Sequence, residues 1–256
     1  MKHFIFTVDD NIRFLKELSL GVYGSIFEHP YLSLYRRLHE KYDLKIQLNL
    51  FYECEGFSLS DMPEKFKDEF EPVADWLKMS FHSRLENLRP YESASYGEVL
   101  SDCEAVNREI VRFAGQKSLA KTTTVHYCRA TADGCRALSD AGVLGLLGLY
   151  GTEEQQRLSY DITESEAKII RGGENLQVNG ITHAAIDLII NTVSKEEIAK
   201  RLSAVLSRQT VKVMIHEQYF YPDYTRYQPD FEEKLDRVFS LLTKDGFESS
   251  FFEDII

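Results

Sequence analysis

Short apolar runs alternate along the chain with segments of helical period. The runs richest in β-branched and aromatic residues are Phe4–Val8, Leu44–Phe51, Leu77–Phe81, Thr122–Tyr127, Val143–Leu149, Ala185–Ile190 and Val211–Ile215, each of strand length. The clearest helix covers Gly97 to Ala114, where Val99, Leu100, Cys103, Val106, Ile110 and Phe113 return every three or four residues to make one apolar face. Ser194 and Glu197 have the spacing of a capping box ahead of Ile198, Leu202 and Val205. A third helix is expected from Pro229 to Lys244, with Leu235, Val238, Phe239 and Leu242 inward and Gly246 at its end. Strands separated by helices imply right-handed crossovers and a mainly parallel sheet. About seven of them predict an α/β fold, a TIM-like (β/α) barrel closed or nearly closed on itself. Tyr150–Gly180 departs from the alternation and reads as an insertion, with a short hairpin around Gly172-Gly173. Nothing else interrupts the pattern, so residues 1–256 are expected to form a single domain.

Composition narrows the function classes. The chain has 30 Lys and Arg against 41 Asp and Glu, a net charge of −11, which argues against a nucleic-acid surface. The apolar start, Phe4-Ile5-Phe6-Thr7-Val8, reaches Asp9-Asp10 too soon for a signal peptide or a spanning helix, so a cytoplasmic protein without a membrane role is expected. Four cysteines, none in a Cys-x-x-Cys pair, fit reduced thiols better than a disulfide framework or a zinc ribbon. The sequence is silent on oligomeric state.

In a parallel barrel, residues leaving the C-terminal ends of the strands converge on one rim, and chemistry gathers there. Asp9-Asp10-Asn11, His82-Ser83-Arg84, Arg129 and His216-Glu217 each follow an expected strand, and Asp187 lies within one. Each has a plain alternative. Asp9 and Asp10 suit N-caps for a helix beginning near Ile12, yet two crowded carboxylates also suit a cation beside a base. His82 and Glu86 are four apart, which on a helical turn gives one side an imidazole and a carboxylate, a ligand set for zinc or a related ion. Their other reading is a solvated pair. His216, placed after an apolar strand, is either a buried neutral imidazole or a proton donor.

These residues resemble the motifs of the NodB-like polysaccharide deacetylases. Phe6-Thr7-Val8-Asp9-Asp10-Asn11 resembles the first motif, Thr-Phe-Asp-Asp-Gly. Phe81-His82-Ser83-Arg84-Leu85-Glu86-Asn87-Leu88 is similar to the second, His-Ser-x-x-His, and Val213-Met214-Ile215-His216-Glu217 to the late strand that delivers a histidine. The resemblance spans nearly the whole chain in motif order. It implies a distorted (β/α)7 barrel with one divalent metal, usually zinc, with nickel, cobalt or manganese as alternatives. By position, Asp10, His82 and Glu86 would hold the metal, Asp9 would be the base, His216 would protonate the leaving group, and Arg129 would orient the base. Departures are Glu86 in place of the second histidine, Asn11 in place of glycine, and Arg129-Ala130-Thr131-Ala132-Asp133 in place of Arg-x-Pro-Tyr-Gly.

After His216, four tyrosines and a phenylalanine fall within nine residues from Tyr219. Such rings suit stacking on sugars, so Glu217, Tyr219 and Tyr221 are expected to bind substrate, the alternative being that the rings pack the loop onto the rim. The expected function is metal-dependent removal of an acyl group from a carbohydrate-like or small amide substrate. Two competing readings are a non-catalytic barrel that binds a sugar-like ligand, and glycoside hydrolysis by two facing carboxylates such as Asp9 and Glu217.

Overall fold

A computed structural model describes residues 1–54, 56–86, 90–151 and 159–256. In chain order its elements are β1 (Lys2–Asn11), α1 (Arg13–Ser19), α2 (Pro30–Tyr42), β2 (Ile46–Cys54), β3 (Phe57–Ser58), α3 (Lys67–Phe70), β4 (Leu77–Leu85), α4 (Tyr96–Ala114), β5 (Thr122–Thr123) and α5 (Ala132–Asp140). There follow β6 (Gly145–Gly148), α6 (Glu164–Arg171), β7 (Leu176–Val178), β8 (Ile181–Ala185), β9 (Leu188–Ile189), α7 (Ile198–Ser203), β10 (Thr210–His216), α8 (Phe231–Lys244) and β11 (Phe247–Ser249).

The parallel strands close on themselves as a distorted barrel. One arc runs β4, β2, β1, β10, β9 and the other β5, β6, β8. A parallel bridge between Met79 and Leu119, with Ala120 N–H on the Met79 carbonyl at 2.8 Å, joins the arcs on one side. On the other side the two residues between β8 and β9 serve both arcs, since Ile186 N–H bonds Gly148 and Asp187 N–H bonds Lys212, each at 2.8 Å.

Alternation along the strands separates two interiors. Phe4, Phe6 and Val8 of β1, Leu48 of β2, Met79 of β4 and Val213 of β10 face outward into the main core beneath the helices, where Phe239 of α8 packs edge-on against Phe6 at 4.9 Å. The intervening residues fill the barrel. Ile5, Leu147, Ala184, Ile186, Met214 and Phe252 form a separate apolar plug. Above it Gln47, Asn49, Ser80 and Thr122 form a buried hydrogen-bonded layer, with Asn49 Oδ1 accepting from Ser80 Oγ at 2.6 Å and Gln47 Nε2 at 2.8 Å. Polar groups taken out of water persist where each finds a partner. This layer is the floor of the cavity at the C-terminal rim.

The helix expected at Gly97 to Ala114 is α4, with a capping box between Ser95 and Glu98. The helix expected at Pro229 begins at Phe231 and buries the four residues named for it. Ser194 and Glu197 are joined by a bond from the Ser194 N–H to the Glu197 carboxylate at 3.1 Å, but regular helix starts only at Ile198. Three local expectations are corrected. The strand expected at Thr122–Tyr127 stops at Thr123, because a tight turn over His126–Cys128 with left-handed Tyr127 (φ 59°) and Cys128 (φ 54°) replaces it. The strand expected at Ala185–Ile190 is broken around Asp187 into β8 and β9. The hairpin placed at Gly172-Gly173 turns instead at Asn179-Gly180, both left-handed, between antiparallel β7 and β8; Gly172 closes α6. Within the segment read as an insertion, residues 152–158 lie outside the described residues.

Candidate metal and hydrolytic site

Successive residues of a regular strand project to opposite faces, so Asp9 and Asp10 could not both enter one cavity from an unbroken β1. The register of β1 against β2 shifts between Val8 and Asn11, and Asp10 takes a left-handed φ of 61°. Aspartate tolerates that region better than most residues. Asn11 holds the bulge from behind: its amide donates to the Val8 carbonyl at 2.6 Å and its Oδ1 accepts from Tyr31 OH at 2.7 Å. In β4, Phe81 pairs with Leu50 and Ser83 with Phe51, which leaves His82 as the extra residue of a second bulge. Both irregularities aim side chains into one pocket.

That pocket has a volume of about 490 Å³ and takes in Asp9, Asp10, His82, His126 and His216, with Thr124 and Gln218 between them. Asp10 Oδ1 lies 3.0 Å from His82 Nε2 and 3.3 Å from His126 Nδ1, and the two nitrogens are 3.1 Å apart. The far nitrogens fix the tautomers. His82 Nδ1 bonds the Thr124 carbonyl, and His126 Nε2 bonds the Glu86 carbonyl at 2.8 Å. Carbonyls only accept, so each far nitrogen carries the hydrogen, and in a neutral imidazole the near nitrogen then presents a bare lone pair. In the neutral form that binds a metal, the two imidazoles and the carboxylate would aim three lone pairs at one point, an arrangement that a cation relieves. Around a tetrahedral ion with bonds of about 2.0–2.1 Å the donors would sit about 3.3 Å apart, so the separations fit a first-row divalent metal.

The electrostatics follow from burial and neighbours. Burial, and after it the Asp10 charge, pushes the Asp9 carboxyl well above the usual carboxylate range against the pull of a 2.6 Å bond from Asn49 Nδ2. Burial acts upward on Asp10 as well, but the adjoining imidazoles of His126, His82 and His216 outweigh it and hold that carboxyl well below its ordinary value. Burial lowers both His82 and His216. His216 Nδ1 bonds Asn191 Oδ1 at 2.9 Å, and its Nε2 points back to Asp10 Oδ2 at 4.0 Å. Gln218 donates to that same oxygen at 2.7 Å.

Of the remaining expected site residues, Glu86 also lines this pocket, while Arg129, Glu217, Tyr219 and Tyr221 do not. His126 stands where Glu86 was expected: Glu86 follows a strand rather than a helical turn, and its carboxylate accepts from the Cys54 thiol at 3.0 Å. Asn87 and Leu88 of the same motif lie outside the described residues. Arg129 lies 3.8 Å from Glu92, while the bond on Asp9 comes from Asn49. Glu217 is fully buried and turned away from the pocket; its two oxygens accept the backbone N–H groups of Ile12, Arg13 and Phe14 at 2.7, 2.9 and 2.8 Å. Glu217 therefore caps α1 from 205 residues away, the task first considered for Asp9 and Asp10, and it cannot face Asp9 as a second glycosidic carboxylate. Tyr221 bonds Glu217 and lies beneath Arg13. Tyr219 packs between His216 and Tyr224, so from this aromatic segment it is Tyr224 and Arg226 that line the pocket. Asp187 is buried in an ion pair with Arg208 and accepts the Lys212 N–H, a structural role. His126 could have been found by the rim rule itself, since it follows the apolar and β-branched run Thr122–Val125; placing it inside an overlong strand hid it.

No family profile matches the sequence, and no curated protein does. Solved structures do match in fold. A peptidoglycan N-acetylglucosamine deacetylase, solved with a hydroxamate ligand, aligns over 99% of this chain and 87% of its own with a TM-score of 0.55 at 12% identity. A family 4 acetyl xylan esterase from Clostridium thermocellum, in complex with a cobalt ion, aligns over 99% and 89% with a TM-score of 0.53 at 14% identity. A 4-alpha-glucanotransferase from Thermococcus litoralis aligns over 99% of this chain but 40% of its own, with a TM-score of 0.57 at 14% identity. The chain thus has the distorted (β/α)7 barrel fold of the polysaccharide deacetylases.

Proposed function

We propose that the protein is a metal-dependent hydrolase that removes an acyl group from a carbohydrate-like amide or ester. The observation that carries this reading is the convergence of Asp10, His82 and His126, with three donor atoms, in the pocket that Asp9 and His216 also line. It agrees with the activities named for two fold neighbours, a deacetylase and an acetyl esterase. A divalent ion held there would polarise an acyl oxygen and acidify a water.

The chain's own groups divide the proton work. Asp9 is held at Oδ1 by Asn49 and sits one residue from Asp10, placed to accept a proton from the attacking water. His216 is oriented by Asn191 at Nδ1, which leaves Nε2 as the atom from which a proton reaches the departing nitrogen or oxygen. Thr124 Oγ1 and Gln218 Oε1 are buried at the pocket with no partner among the described residues, and a polyhydroxylated ligand supplies what they lack.

The test is acetate release from N-acetylated chitooligosaccharides and acetylated xylan by protein stripped with chelator and reloaded with zinc, cobalt or nickel. Turnover with at least one ion, lost in His126→Ala and Asp9→Asn, is expected. Absence of turnover with every ion, whether or not metal binds, would replace this reading with that of a barrel that only binds its ligand.

A further inference from the structure

The mouth of the pocket carries a charge that the hydrolytic chemistry leaves unused. Tyr219 through Gln228 is a tightly bonded segment: Tyr224 N–H reaches the Tyr221 carbonyl and Tyr227 N–H the Tyr224 carbonyl, each at 3.0 Å, and Gln228 N–H returns to Tyr219 at 3.0 Å. Its polar side chains are largely matched, Asp223 with Arg13 at 2.6 Å and Gln228 with the Asn191 carbonyl at 2.8 Å. Arg226 differs. It is exposed, lines the pocket, and forms no ion pair among the described residues. Among those lining residues it is the only lysine or arginine, in a chain of net charge −11.

Beside it at the same mouth are the rings of Tyr224 and Tyr127, which belong to opposite sides of the barrel. Aromatic faces take the apolar face of a sugar, and a guanidinium takes a carboxylate or phosphate through paired N–H donors. A chain this acidic repels anions at long range, so an unpaired guanidinium on a well-bonded loop is what would admit one. We propose that the pocket selects an acylated amino sugar bearing an anionic oxyacid group, a carboxylate or a phosphate, which Arg226 receives while the acyl group lies over Asp10, His82 and His126. This rests on the acyl-hydrolase reading above for where the reacting group lies, but the anion preference is measurable without turnover.

Three probes that differ at one carbon separate the sources: N-acetylglucosamine, its 6-phosphate, and the corresponding 6-carboxylate. Calorimetric binding to the metal-loaded protein is expected to favour at least one anionic probe about ten-fold over the neutral sugar. Arg226→Gln abolishes that preference, Arg226→Lys restores part of it, and neither alters affinity for the neutral sugar by more than about two-fold. Where the probes are turned over, the same preference enters through KM with kcat nearly unchanged. Which anion gains identifies the source. Equal binding of all three probes overturns the proposal, as does a preference that survives in Arg226→Gln, since that anion would then be held at the metal centre. Anion preference without acetate release would overturn the hydrolase reading and leave this one standing.

Discussion

Asn49 donates a 2.6 Å hydrogen bond to the buried carboxylate of Asp9, and its own Oδ1 is fixed by Ser80 and Gln47. Asp9, the base of the proposed reaction, is therefore positioned from the floor of the barrel, by strand β2, and Arg129 at the rim is engaged at 3.8 Å with Glu92. Asn49→Ala should lower kcat by about 100-fold with little change in KM, because it frees the base without touching the mouth of the pocket. Loss of a buried bond should also cost about 1–3 kcal/mol of stability. Asn49→Gln, longer by one methylene, is not expected to rescue. Steady-state kinetics with a parallel denaturant titration check both numbers, and turnover unchanged in Asn49→Ala would show that Asp9 needs no such support.

The ligand set makes a prediction that separates His126 from Glu86. His126→Ala removes one of three converging donors and should weaken zinc binding by at least about 100-fold. Glu86→Gln should leave it within about three-fold, since the Glu86 group that serves the site is its backbone carbonyl, bonded to His126 Nε2 at 2.8 Å. Competition against a chromophoric chelator measures both. The reverse order of effects would restore Glu86 as a ligand.

Glu217 links the two ends of the barrel chain, and its titration has a sign that can be tested. Burial raises its carboxyl to about 7 from an ordinary 4.5, against the pull of three backbone N–H groups and Tyr221. The folded state then binds a proton that the unfolded chain releases. Its contribution to stability is fully present below pH 4.5 and is lost as pH rises through about 7. Between those values this group should tilt stability downward by up to about 1.4 kcal/mol per pH unit. Glu217→Gln should remove that slope, and Glu217→Ala, which strands the N–H groups of Ile12, Arg13 and Phe14, should cost about 2–4 kcal/mol at any pH. Urea titrations from pH 4 to 8 read the slope directly; a wild-type profile that rises over this range after subtraction of the Glu217→Gln profile would contradict it.

Most of the barrel was legible because its physics is local. Outward-facing Phe4, Phe6 and Val8 and the apolar stripe of α4 follow strand and helix periods that the sequence displays openly. Asp9, Asp10, His82 and His216 were legible for the same reason, as polar residues at strand ends that meet in one pocket. What escaped depended on departures from regular geometry. The bulge at His82 and the left-handed turn at Tyr127-Cys128 decide that His126, not Glu86, meets Asp10, and neither leaves a periodic trace. The capping of α1 by Glu217 spans 205 residues, so no local pattern announces it. Within the aromatic segment, period could not say that Tyr221 is buried while Tyr224 and Arg226 line the pocket.

The position of His126 depends on a glycine it does not touch. A Cβ at Gly148, in β6, would stand 2.8 Å from the Tyr160 ring and 2.9 Å from the Tyr150 ring, both fully buried and without room to yield. Tyr160 OH donates to the Leu147 carbonyl at 2.6 Å and accepts the Val125 N–H at 3.1 Å, which ties it to the residue before His126. Gly148→Ala should therefore cost about 1–3 kcal/mol through overpacking and also displace the turn that aims Nδ1 at Asp10. Zinc affinity should fall by about ten-fold in protein that is still folded at the assay temperature. Tyr160→Phe keeps the ring and removes both bonds, so it should weaken zinc binding with a smaller loss of stability. If Tyr160→Phe binds zinc as the wild type does, the turn at His126–Cys128 is held by its own backbone, and the effect of Gly148→Ala is packing alone.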